Sequence, residues 1–124
     1  MAARAGRRVA VCLPARNEAR TLGAIVSSVR RTLTRAGGGS DLVDDIVVVD
    51  DGSTDDTAAV GRRAGARVVA TRTAGGGKGQ AMRVALDETD AELLVFLDAD
   101  VENFGPHFVT GLLECFDDLG TARH

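Results

Sequence analysis

Two cysteines, two prolines and a single lysine are all that these 124 residues hold of each, and no apolar run reaches the length of a membrane span. A transmembrane helix needs about 20 consecutive apolar residues, so none is expected. Residues 9–13 are too short for a signal-peptide core and no small-residue cleavage site follows, so the expected location is the cytoplasm. Cys12 and Cys115 lie far apart with no CxxC spacing, which favours two buried thiols in a reducing compartment over a disulfide or a zinc site. A basic balance is also missing, since the net charge is −3. Nucleic-acid binders usually carry a basic stripe, so no nucleic-acid partner is expected. Arg4, Arg7 and Arg8 form only a short cluster that solvates a tail. Fourteen arginines stand against the one lysine, Lys78, as a GC-rich genome would write its surface cations. That usage makes the exception worth following.

What is present suits one soluble domain. The apolar fraction is 44% and the charged fraction 27%, both ordinary for a globular chain. A domain of this length hides roughly two-thirds of its unfolded surface. The division expected is a flexible tail over 1–7, one folded domain over 8–118 and a short tail over 119–124. Residues 8–13 read as a buried strand ended by Pro14. Asn17 reads as the cap of a helix whose inner face is Leu22, Ile25, Val26, Val29 and Leu33. The glycines of 36–40 end it. Residues 46–49 form a β-branched buried strand. Ser53 with Asp56 resembles a capping box for a helix running to Ala64, with Gly65 as its C-terminal cap. Residues 67–70 make a third strand and 71–79 a glycine-rich loop. A helix over 80–87 would turn Met82, Ala85 and Leu86 inward, and 93–97 would be a fourth buried strand. Pro106 suits the first turn of a last helix with Phe108, Val109, Leu112, Leu113 and Phe116 on its apolar face.

Wholly apolar strands alternating with amphipathic helices imply an α/β fold, a parallel sheet with helices on both faces. Right-handed crossovers make the first half of a doubly wound, Rossmann-like sheet the natural arrangement. Four chemically loaded segments then fall at the carboxyl ends of the four strands, where open α/β sheets bind ligands. They are Pro14-Ala15-Arg16-Asn17-Glu18, Asp50-Asp51-Gly52-Ser53, Gly75-Gly76-Gly77-Lys78-Gly79 and Asp98-Ala99-Asp100. Helix N-termini converge on the same edge and favour anions.

Asp98 and Asp100 would point the same way from an extended chain, and two hard carboxylates suit Mg²⁺ or Mn²⁺ completed by water and phosphate. An acidic pair after a strand also simply caps a turn. Asp50 reads as a turn acceptor, whereas Asp51 is better placed for a ligand such as the N3–H of a uracil ring. Lys78 suits a diphosphate as a compact point charge. Glu18 reads equally as a dipole-favoured helix-start acid or a ligand contact, and Arg16 as a solvated residue or a phosphate contact. His107 reads as structural and His124 as a tail residue.

Several nucleotide motifs are excluded. Arg72 stands where a Walker A loop needs its first glycine, and Gly79 where it needs Ser or Thr. The loop follows the third strand and lacks GxGxxG spacing, so it is no dinucleotide fingerprint. A receiver domain would need a further lysine. A DxD phosphatase would carry its acidic pair on the first strand.

The same segments, in the same order, resemble the donor-binding half of GT-A glycosyltransferases of the family 2 kind. The residues that carry the likeness are 14–18, Val49-Asp50-Asp51-Gly52-Ser53-Thr54-Asp55, Gly77-Lys78-Gly79-Gln80-Ala81 and Phe96-Leu97-Asp98-Ala99-Asp100. Within that group the pattern, with Asp100-Val101-Glu102-Asn103 and Pro106-His107-Phe108-Val109, is most similar to glucosyl-3-phosphoglycerate synthases. The resemblance implies a UDP-sugar donor, most simply UDP-glucose, a divalent metal, and a small phosphorylated acceptor such as 3-phosphoglycerate. By position Pro14, Ala15, Arg16 and Glu18 would line the uridine pocket with Asp51 near the base. Lys78 would meet the diphosphate or the sugar. Asp98 and Ala99 would lie at the ribose or a metal-bound water, and Asp100 would bind the metal. It further implies a truncated fold whose acceptor half is missing, inactive alone. The alternative expectation is a standalone nucleotide or nucleotide-sugar binding module completed by a partner or, as a homo-oligomer, by a second copy.

Overall fold

The computed structural model describes residues 8–39 and 41–99. They form a four-stranded parallel sheet in the order β3-β2-β1-β4. The chain runs β1 (Val9–Ala15), α1 (Ala19–Leu33), β2 (Asp45–Asp50), α2 (Thr57–Ala64), β3 (Arg67–Ala70), α3 (Gly77–Glu88) and β4 (Leu93–Phe96). The sheet grows from β1 through β2 to β3 and then jumps back to place β4 on the other side of β1. That reversal is the expected topology of a doubly wound half, with its switch point between β1 and β4.

Two apolar layers enclose the sheet. Val9, Val11, Leu13, Ile46 and Val48 face α1, whose Leu22, Ile25, Val26, Val29 and Leu33 are all fully buried. Val60 and Ala64 bring α2 onto that same face. Ala10, Cys12, Val47 and Val49 point the other way and meet Ala81 and Ala85 of α3. The period of two in the strands thus feeds both layers, and each fully buried Leu, Ile or Val contributes about 1.5–3 kcal/mol.

Several sequence expectations need correction. β1 does not stop at Pro14 but runs through it, with Pro14 opposite Val49 of β2. Backbone groups alternate sides along a strand, and the Cys12 carbonyl accepts from Leu97 on the β4 side at 3.0 Å. Pro14, two residues on, therefore turns its missing N–H toward β4, where pairing has already ended at Cys12–Phe96. No ladder bond is lost, and the β2 side continues to the Ala15 carbonyl, which accepts from Asp51 N at 2.9 Å.

The helix starts also differ. Glu18, not Asn17, precedes α1, and α2 begins at Thr57 with no capping bond from Ser53 or Asp56. The third helix begins at Gly77, so Lys78 sits in its first turn rather than in the loop. Its buried residues are Ala81 and Ala85, while Met82 and Leu86 are 42% and 58% exposed. The short Ala81/Ala85 stripe lets α3 lie close on the sheet and turns the two larger side chains outward. β4 is half-buried throughout because, among the described residues, it pairs on one edge only. Gly65 closes α2 in the left-handed conformation, as expected.

At the edge opposite the strand carboxyl ends, Arg67 pairs with Asp45 at 2.8 Å and donates to the last-turn carbonyl of Glu88 at 2.8 Å. One side chain thereby ties β3, β2 and α3 together. Cys12 is fully buried and free, and burial in the apolar layer raises its thiol pKa to about 11. The final helix, the tails and Cys115 lie outside the described residues. Among the described residues no helix is long and apolar enough to cross a membrane.

Candidate ligand cleft at the carboxyl edge of the sheet

A cleft of about 260 Å³ opens at the carboxyl ends of the strands. Pro14, Ala15, Arg16 and Glu18 enter it from the β1–α1 connection, and Asp51 from the end of β2. Gly75, Gly77, Lys78 and Ala81 enter from the glycine loop and the start of α3. Six residues expected from sequence are thus brought together. Asp98 and Ala99 are not in the lining, and Asp100 lies outside the described residues.

Asp51 organises the glycine loop. Its side chain is only 7% exposed. One carboxylate oxygen accepts from the Thr71 hydroxyl at 2.8 Å and Gly76 N at 3.2 Å, and the other from Gly77 N at 3.0 Å. The Asp51 carbonyl takes Gly75 N at 3.1 Å. Burial pushes the carboxyl pKa up, but these donors outweigh it and hold the group below the usual value. Asp51 therefore serves as the acceptor at the start of α3, a role its sequence position did not reveal. Asp50 behaves as expected, taking Ser53 N at 3.0 Å in the turn. Gly52 lies at φ +82, and a Cβ there would come within 2.3 Å of the Ala74 Cβ, so the β2 turn and the glycine loop pack directly on each other.

The Arg16-Asn17-Glu18 segment is laced to the β2–α2 connection. Asn17 takes φ +56, a left-handed conformation that asparagine tolerates better than most residues. Its N–H donates to Ser53 Oγ at 2.9 Å and its Oδ1 accepts from Thr54 N at 2.8 Å. Glu18 N donates to Thr57 Oγ1 at 2.9 Å. Asp55 then joins two helix starts, accepting from Ala19 N at 3.3 Å through one oxygen and from Thr57 N at 2.9 Å through the other. The Thr57 hydroxyl also donates to Asp55, and this bond, with the backbone donors, holds the carboxyl below its usual pKa. The sequence places Asp55 in a motif without revealing this role, and Thr57 is not singled out by it. A run of Ser, Thr and Asp side chains that compete for nearby backbone was the available signal.

Among the described residues, the leading N–H of each helix at this edge thus donates to a carboxylate of the chain itself: Ala19 and Thr57 to Asp55, and Gly77 to Asp51. The expected attraction of helix starts for a bound anion is already partly answered from within. Cationic side chains remain beside the cleft. The Arg16 guanidinium lies over Gly75, where an added Cβ would meet it at 2.9 Å. Lys78 Nζ donates to Asp98 Oδ1 at 3.0 Å across the rim, with both side chains mostly exposed. Asp98 lies past the end of β4, and Ala99 is 3% exposed with its carbonyl accepting from the Thr21 hydroxyl at 2.6 Å. Thr21, in the first turn of α1, was another residue not singled out from sequence. Among the described residues no three His, Cys, Asp or Glu side chains converge as a metal-binding group.

Known proteins share this fold. Glucosyl-3-phosphoglycerate synthase of Mycolicibacterium smegmatis is 40% identical over 118 residues, covering 90% of this chain and 37% of that enzyme. The crystal structure of the Mycobacterium tuberculosis glucosyl-3-phosphoglycerate synthase with Mn²⁺, UDP-glucose and phosphoglyceric acid superposes with a TM-score of 0.75 at 35% identity, covering 95% of this chain and 42% of that one. The same enzyme is also known with Mg²⁺ and UDP. Mannosyl-3-phosphoglycerate synthase from Rubrobacter xylanophilus gives a TM-score of 0.74 at 35% identity, covering 87% of this chain and 35% of that one. The chain therefore spans about two-fifths of the length of these relatives. The sequence model of glycosyl transferase family 2 matches residues 10–122, and the chain belongs to that family.

Proposed function

We propose that this chain is the donor-binding part of a metal-dependent glycosyltransferase that moves glucose from UDP-glucose to a small phosphorylated acceptor such as 3-phosphoglycerate. The observation that carries this reading is the convergence of the loops after β1, β2 and β3 on one cleft. The relatives' complexes with UDP-glucose and phosphoglyceric acid support the choice of donor and acceptor.

In this reading Pro14, Ala15, Arg16 and Glu18 enclose the uridine, held in place by the Asn17 and Thr57 hydrogen bonds. Asp51 fixes the glycine loop and, through its remaining lone-pair capacity, faces the base. Lys78 meets the diphosphate from the first turn of α3. Asp98 lies at the ribose or a metal-bound water, with Ala99 beside it and Asp100 as the direct metal ligand.

Mg²⁺ or Mn²⁺ fits this donor set. Carboxylate oxygens are the ligands such hard cations take, and Asp98 already holds a positive group, the Lys78 ammonium, at 3.0 Å. When bound, the cation supplies Lewis-acid stabilisation of the departing diphosphate. The chain's own residues orient the donor and hold its charge.

Calorimetric titration of the chain with UDP-glucose tests the reading. Binding is expected with Mg²⁺, lost with EDTA, and lost in Asp100→Ala. A folded chain that takes up no UDP-glucose in the presence of Mg²⁺ would refute it.

A further inference from the structure

Lys78 and Asp98 come from different elements, the first turn of α3 and the segment after β4, and meet at 3.0 Å across the cleft rim. Lys78 lines the cleft and Asp98 does not, so the pair draws Asp98 to the rim. The side chains are 76% and 63% exposed. A solvent-exposed pair of this kind is weak and exchanges readily. The lysine stem is flexible, and its ammonium can swing without moving backbone.

We infer that Lys78 and the hydrated divalent cation compete for the charge of Asp98, so that Lys78 holds Asp98 before nucleotide binds and leaves it when a diphosphate arrives. This rests on the function proposed above. An ammonium beside Asp98 neutralises part of the charge that a divalent cation needs and repels the cation directly. A nucleoside diphosphate offers Lys78 a second anion. Once Lys78 turns to it, Asp98 is released toward the cation. Nucleotide and cation therefore bind with positive coupling, and the coupling is reciprocal. Lys78 then passes from Asp98 to the diphosphate, and a lysine suits this where an arginine, held in a planar fork, would not.

The test is a calorimetric titration of the nucleotide-free 124-residue chain with Mn²⁺, comparing wild type, Lys78→Gln, Lys78→Arg and Lys78→Gln in an Asp98→Asn background. Lys78→Gln is expected to bind Mn²⁺ roughly two- to fivefold tighter than wild type, the range an exposed pair allows. Lys78→Arg keeps the charge and gains nothing. The gain disappears in the Asp98→Asn background. At saturating Mn²⁺ the order reverses, and Lys78→Gln binds UDP more weakly than wild type. Mn²⁺ affinity that is unchanged or weaker in Lys78→Gln overturns the exchange. So does a gain that survives Asp98→Asn, or the absence of Mn²⁺ uptake in wild type and Lys78→Gln alike. Failure of the wild-type chain to bind UDP with Mn²⁺ would instead sink the proposed function, and the Mn²⁺ comparison would still decide the exchange. Circular dichroism confirms that each variant is folded.

Discussion

Alanine at position 51 would strip three donors of their acceptor at once. The Thr71 hydroxyl at 2.8 Å, Gly77 N at 3.0 Å and Gly76 N at 3.2 Å all end on this one carboxylate. Hydrogen bonds to a charged group contribute about 1.5–3 kcal/mol each, but water can reach an opened loop and replace part of that. The expected loss for Asp51→Ala is therefore about 2–4 kcal/mol, below the simple sum. Asp51→Asn keeps one acceptor oxygen and should lose about half as much. Urea denaturation at constant slope measures both values. Amide hydrogen exchange should quicken at Gly76 and Gly77 before it does in α1. The native carboxyl titrates below the ordinary Asp value of 3.8. A depressed native pKa adds stability above the unfolded value and loses it as pH falls through the native one. The loop should accordingly stay ordered from neutral pH down to the region of 3.8 and loosen only below it. An Asp51→Ala variant within ~0.5 kcal/mol of wild type, the range of an ordinary surface substitution, would refute the reasoning.

Asn17→Ala removes the acceptor for Thr54 and puts a less tolerant residue at φ +56, so a loss of about 1–2 kcal/mol is expected by thermal or urea unfolding. Asn17→Gly should recover the part due to backbone strain, and equal losses in the two variants would count against it. The Cys12 thiol, fully buried with its pKa near 11, should resist a disulfide reagent at pH 8 in the native chain and react once urea unfolds it. Rapid labelling of Cys12 without denaturant would contradict the packing described.

The architecture was legible in the sequence because it depends on runs and periods. Every apolar residue expected on the inner face of α1 is buried, with Thr21 and Ser28 besides, and β3 and the Gly65 cap fall where expected. Helix starts were not legible, because several short polar residues in a row can each serve as a cap. The choice among Asn17, Ser53, Asp55 and Asp56 is made by which backbone N–H the neighbouring loop brings near, and that is a tertiary fact. The inward face of α3 was misread for a related reason. Ala85 is buried as expected, but size also suggests Met82 and Leu86, whereas close approach to the sheet favours Ala81 beside Ala85. Pro14 was read as a stop because the sequence does not say on which side its missing N–H will fall. The grouping of the cleft residues was legible, since a parallel sheet places the ends of its strands on one edge. The engagement of Asp51 with the glycine loop was not.

The occupation of the leading N–H groups of α1, α2 and α3 by Asp51 and Asp55 bears on how this edge can change over time. A binding edge built from backbone donors is the same for every residue but proline, so few substitutions can delete it. Here the leading backbone donors are already spoken for. In the function proposed above, charge recognition passes to Arg16, Lys78 and Asp98, each replaceable by one mutation. The scaffold is thereby insulated from its ligand, and the selectivity of the cleft can drift from one descendant to the next while the loops that shape it stay in place.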